Sequence, residues 1–257
     1  LFSHLEFDKV YTLHPSILPP VYAQYFLFDT IRDPSSLTWE FMSHMITNCV
    51  DFPALCAFRC QLPVADREVI LKPILPVSTD AVGAVGSPFV AVHAGKHWQS
   101  KTFPKSWWDE VLHGLKKSGL VPVLIGSDLD NNRGTVDVDS TGCIDLRNKL
   151  SVNDSIWLLQ RSRVLLTNDS APLHMAVTGS AWIGFVATCK HPDYITHWRN
   201  GQWSWRMKNL GLGGIWDVID YCPNVAQKVE AENVGDELLK SWLPDPSKMV
   251  EFAVSHI

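Results

Sequence analysis

No run of about 18 apolar residues occurs in the sequence, so no segment is expected to span a membrane as a helix. Positive charge is not in excess. Lys and Arg number 22 against 27 Asp and Glu, and the net charge of −5 argues against a broad electrostatic grip on nucleic acid. Zinc-ligand spacing is missing as well. Cys49, Cys56, Cys60, Cys143, Cys189 and Cys222 are scattered, and the Cys56/Cys60 pair, one helical turn apart, has no second pair to complete a site. They read as thiols in a reducing cytoplasm rather than as a disulfide framework. No Asp-x-Asp pair stands at a loop position suited to a nucleotide-bound cation, and no internal repeat, low-complexity run or secretory leader is visible. The chain opens at Leu1 with no complete βα unit before Glu6, so an N-terminal portion is expected to lie outside this sequence.

What is present suits a globular α/β protein. Hydrophobic residues make up 46% and charged residues 19% of 257 positions, enough for one large domain or two modest ones. Eleven Trp is a high count, read first as core and interface packing and second as sugar-stacking rings.

The chain is organised around Val164-Leu165-Leu166-Thr167-Asn168-Asp169-Ser170-Ala171-Pro172-Leu173-His174-Met175-Ala176-Val177. Apolar and β-branched residues predict a buried strand, Asn168-Asp169-Ser170 a turn and helix cap, and Pro172 the first turn of a helix. Thr178-Gly179-Ser180 stops that helix before a strand over 181–186. Upstream the same rhythm predicts strands at 89–92, 121–125 and 143–146. Helices are predicted at 105–117, ended by Gly119, and at 152–160, capped by Ser151. The expected fold is a doubly wound parallel sheet.

Outside that region the pattern is weaker. Residues 1–80 read as part of an α/β domain with no chemistry-bearing motif, joined through a linker at 76–88 rich in Gly and Pro. Residues 81–240 form the regular domain. The segment from His197 to Arg206 reads as a loop dense in rings and guanidinium groups, a capped helix is expected within 225–243, and another at 248–257. By analogy, 241–257 is expected to pack back toward the N-terminal domain.

Three loops leave strands at one edge of the predicted sheet. His93-Ala94-Gly95-Lys96, continuing to Lys101, offers close backbone approach and two cations for a diphosphate. Gly126-Ser127-Asp128 sets a carboxylate where a ribose diol is held in such folds. Asp169-Ser170-Ala171, with His174 one turn on, offers helix N–H groups to phosphate oxygens. Together they favour a nucleotide-type ligand over an unliganded scaffold.

The order His93-Ala94-Gly95, then Lys101-x-Phe103-Pro104 with Trp107-Trp108, then Gly126-Ser127-Asp128, then Asn168 through Ala176 resembles the ADP-heptose:lipopolysaccharide heptosyltransferase family. The likeness covers roughly residues 88 to 225, including Asp145-Leu146 and Tyr221-Cys222-Pro223. It implies a GT-B glycosyltransferase of two Rossmann-like domains, the N-terminal one incomplete here. By the same resemblance Lys101 contacts the donor phosphate, Asp128 takes the acidic position at the ribose, and Asp169 through His174 lie at the diphosphate and sugar. Ala171 replaces the glycine usual there, Asp128 is shorter than the usual Glu, and the family's Gly-rich first loop with its general base has no counterpart.

Two functions follow from this reading. The first is inverting, metal-independent transfer of a heptose-like sugar from a nucleoside diphosphate, an ADP-sugar by resemblance, to a glycan or glycolipid. That enzyme needs no cofactor and is cytoplasmic, meeting the inner membrane peripherally. The second is a non-catalytic nucleotide- or sugar-binding module of the same fold.

Overall fold

The computed structural model describes residues 82–83, 85–128, 134–189, 192, 206–215 and 233–257. The expectations for residues 1–80, for the ring-dense loop before Arg206 and for Tyr221-Cys222-Pro223 lie outside them.

A six-stranded sheet, all parallel, is the frame. In chain order its strands are β1 (Val90–His93), β3 (Pro122–Leu124), β5 (Ile144–Asp145), β6 (Val164–Asn168), β7 (Trp182–Val186) and β8 (Met207–Asn209). Two short strands, β2 (Gly95–Lys96) and β4 (Gly134–Thr135), pair antiparallel as a separate ribbon. Across the sheet the order is β5-β3-β1-β6-β7-β8. The chain therefore runs outward from β1 in one direction, then returns to its other side and runs outward again. β1 and β6 flank the point of reversal, where the crevice beyond the strand ends admits a ligand.

Both sheet faces are buried, which explains why the strands read as continuous apolar runs. Side chains alternate along β1: Val90 and Val92 enter one core, Phe89 and Ala91 the other. The first core is closed by α1 (Lys105–Lys117) and α5 (Pro246–His256), through Trp107, Trp108, Val111, Leu112 and Leu115 of the former and Met249, Phe252 and Ala253 of the latter. The second is closed by α2 (Val152–Arg161) and α3 (Ala171–Ala176), through Leu158, Leu159, Leu173 and Ala176. α1 has the predicted span. It ends at Gly119, whose φ of +79° lets Leu120 N–H return to Leu115 O at 3.1 Å. α2 begins at a capping box in which Ser151 Oγ accepts from Asp154 N–H at 3.1 Å and Asp154 Oδ2 accepts from Ser151 N–H at 3.2 Å. α3 stops just before Thr178-Gly179-Ser180 as expected, though Gly179 is not a left-handed cap. A Cβ there would lie within 2.6 Å of the Gln160 carbonyl oxygen, so glycine is needed for close backbone approach.

The C-terminal segment, α4 (Asp236–Trp242) followed by α5, packs onto this same domain. The described contacts of α5 include α1, β6 and β7; its relation to residues 1–80 lies outside the described residues. Trp107 Nε1 donates to Pro244 O at 2.8 Å, and Arg163 Nε donates to His256 O at 2.8 Å at the helix end. Phe252 lies over Gly184, where an added Cβ would approach its ring to 2.6 Å. Gly184→Ala is therefore expected to cost about 1–3 kcal/mol in urea unfolding, because the packed α5 cannot yield without a shift. Adding Phe252→Leu should return part of that loss; strictly additive losses would show that Phe252 is not what the methyl meets. Among the described residues no helix is long and apolar enough to cross a membrane.

Candidate functional site

At the reversal point the ends of β1, β3 and β6 and the start of α2 enclose a crevice of about 440 Å³. Its walls include His93, Gly95, Lys96, Lys101, Gly126, Ser127, Asp169, Ser170 and Ala171, so three loops distant in sequence meet there.

The charged centre is Lys101, at the end of a 3-10 turn (Gln99–Lys101). Its Nζ sits 2.5 Å from Asp169 Oδ2 and 5.4 Å from the Trp98 ring centroid. Burial opposes the ammonium charge, but the Asp169 carboxylate, with Cys189 nearby, outweighs it and raises the Lys101 pKa. The lysine is thus a fixed cation whose charge is shared with a partner.

A second group is neutral. His93 is buried at the end of β1 and its pKa falls to about 4, because burial disfavours the imidazolium and the Asn168 amide beside it counters this only in part. Its Nδ1 lies 3.3 Å from Thr167 Oγ1 and 3.1 Å from Ser170 Oγ. Both hydroxyls also have Asn168 O as an acceptor, at 2.9 and 3.1 Å. With their protons spent there, Nδ1 carries the imidazole proton, an assignment drawn from the network.

The N-terminus of α3 is a poorer anion site than the sequence suggests. The helix has six residues, Pro172 has no N–H, and Leu173 N–H is taken by Ser170 O at 3.1 Å. Ser170 Oγ makes no cap bond and turns to His93 instead.

Three predicted residues lie outside the crevice lining. The Asp128 carboxylate is engaged beside it: Asn148 Nδ2 donates to Oδ2 at 2.9 Å, and Thr135 N–H and Oγ1 donate to Oδ1 at 3.2 and 3.1 Å. These bonds, the one from Asn148 foremost, hold its pKa below the usual carboxylate range. Ala94 is buried in the first core. His174 stands on the exposed side of α3, within electrostatic reach of Asp169 and Lys101.

Sequence reasoning missed His97 and the wall formed by Leu150, Val152 and Ser155. The capping box at Ser151 was the available signal, since a capped helix start after a strand end opens onto the same sheet edge. Gly95 and Gly126 fit for steric reasons. A Cβ on Gly95 would fall 2.5 Å from Asn168 Oδ1, and Gly126 has φ +133° with Thr135 Cγ2 against it. Among the described residues no three His, Cys, Asp or Glu converge as a metal-ligand set.

Residues 61–181 match the family described as glycosyltransferase family 9 (heptosyltransferase). A glycosyl transferase of family 9 from Veillonella parvula DSM 2008 has a similar fold: TM-score 0.55 at 14% identity, over 79% of this chain and 58% of that one. The ADP-heptose lps heptosyltransferase II of E. coli gives a TM-score of 0.48 at 17% identity, over 77% of this chain and 56% of that one. This chain therefore spans under two thirds of the length of either structure. No curated protein sequence matches it.

Proposed function

We propose, from the match of residues 61–181 to glycosyltransferase family 9, that this chain supplies the donor-binding part of a glycosyltransferase. The transferred group is a heptose-like sugar, the donor a nucleoside diphosphate sugar with ADP preferred, and the acceptor a glycan or glycolipid. The observation that carries this is the Lys101–Asp169 pair in the crevice between β1 and β6, a cation held where a diphosphate would lie. An acceptor hydroxyl gives its proton to a general base and attacks the anomeric carbon from the face opposite the diphosphate, with inversion. The C–O bond to the diphosphate breaks, and the charge gathering on the leaving group is met by Lys101 and Lys96. Those two cations do the work that a divalent metal does elsewhere, so transfer proceeds in EDTA. Such an enzyme works in the cytoplasm, beside the inner membrane where a glycolipid acceptor is presented.

A binding module is the second reading. Asp169 is committed to Lys101 and His93 is a weak base, so neither is suited to deprotonate an acceptor hydroxyl. A thermal-shift series with ADP, UDP, GDP and CMP, followed by calorimetry and a transfer assay, separates the two. ADP at a hundred times its Kd should stabilise the chain by roughly 2.7 kcal/mol. Binding without turnover selects the module; no shift with any nucleotide removes both readings.

A further inference from the structure

Asn168, the last residue of β6, is only 1% exposed, and its amide joins two separate pieces of chain. Nδ2 donates to Gly95 O at 3.1 Å and to Lys101 O at 2.7 Å. Both amide protons therefore go to carbonyls of the loops that follow β1. The next residue, Asp169, holds the Lys101 ammonium. Consecutive side chains thus fix the lysine twice, once by its main chain and once by its charge. The orientation of the amide is not in doubt, because reversing it would set Oδ1 against two carbonyl oxygens. In the orientation that satisfies them, Oδ1 is buried against Gly95, beside the His93 ring. An apolar residue of the same shape would leave both carbonyls without their donor and the two loops untied from β6.

We infer that Asn168 is a positioning residue, which sets Lys101 in the crevice through its main chain and keeps its ammonium on Asp169. The consequence for donor affinity rests on the reading above; the consequence for the lysine itself does not.

The test uses the full chain with Asn168→Leu, which keeps the shape without the donors, and Asn168→Ala, which removes the amide without adding charge. The first readout is trace acetylation of lysines by acetic anhydride, followed by mass spectrometry, with exposed Lys105 and Lys248 as internal references. Loosening the pair should make Lys101 react about tenfold faster in both variants, as for one unit of pKa, with the references unchanged. The melting temperature of Asn168→Leu should fall, because two carbonyls lose their donor, while the chain stays folded. The second readout is ADP affinity by calorimetry, expected to fall about tenfold or more, since small misplacements of a binding group have large effects. That fall should be largely absent when Lys101→Ala is already present. Unchanged Lys101 reactivity in a folded variant overturns the inference, as does faster reaction at every lysine alike or an equal loss of affinity in the Lys101→Ala background. If the native chain binds no ADP, the donor reading fails and acetylation still decides the role of Asn168.

Discussion

Lys101→Ala should weaken ADP binding by about 10- to 100-fold, the largest loss expected from any one crevice side chain. A hydrogen bond to a charged group contributes about 1.5–3 kcal/mol, which sets that range. Two features of the crevice push toward its upper end. Asp169, 7% exposed, loses its counter-charge and becomes a carboxylate facing the incoming diphosphate. The backbone offers little replacement, because the six-residue α3 has Pro172 in its first turn and Leu173 N–H already bonded. The same reasoning predicts that Lys101→Ala/Asp169→Asn binds ADP better than Lys101→Ala alone, since the second change removes the unmasked charge. Lys101→Arg should not restore the native affinity, because the larger planar guanidinium does not fit where the compact, nearly buried ammonium sits on Asp169. Calorimetry at fixed ionic strength reads all three. An unaltered Kd in Lys101→Ala would remove the lysine from the donor site, and additive losses in the double variant would remove Asp169 from its partnership.

The parts of this site that were legible in the sequence are those held by period and punctuation. α1 was readable to the residue because Trp108, Val111, Leu112 and Leu115 fall on one face and Gly119 ends the helix. β6 and β7 were readable as apolar runs bounded by turn residues, and Ser151 marked the start of α2. Elements of two or three residues have no period to read, and β3 and β5 showed only because apolar neighbours extend them into longer runs. β2, β4 and β8 went unseen for that reason, although β4 brings Thr135 to Asp128. That pairing is why a carboxylate just past β3 does not line the crevice: its partners, Asn148 and Thr135, come from 20 and 7 residues away, a relation that spacing does not encode. The left-handed Asn148, φ 59°, is another case, since only the formed turn shows why its amide meets Asp128 at both main chain and side chain. The Lys101–Asp169 pair spans 68 residues and became visible only when the sheet order placed β1 beside β6.

Acidification should destabilise the chain through His93 before the carboxylates contribute. His93 is 7% exposed, with a folded pKa of about 4 against an ordinary 6.5. Between those values the unfolded chain binds the proton and the folded chain does not, so unfolding takes up protons and stability rises with pH. The contribution is complete above pH 6.5 and lost progressively as pH falls toward 4. At 1.36 kcal/mol per unit the whole window amounts to about 3 kcal/mol. Asp128 and Asp145 are displaced in the same direction from a lower ordinary value: hydrogen bonds, from Asn148 and from Arg147 respectively, lower their folded pKa. Their contribution is present above the ordinary carboxylate value and is lost only below it, which separates the two windows. Urea unfolding of the native chain at pH 7, 6, 5 and 4.5 should therefore show a steady decline, and His93→Gln, which keeps a hydrogen-bonding side chain without the titration, should flatten it. The two chains losing stability in parallel would mean that His93 takes up its proton in the folded state with little penalty. Its neutral Nδ1–H could then no longer be what orders Thr167 and Ser170 at the end of β6.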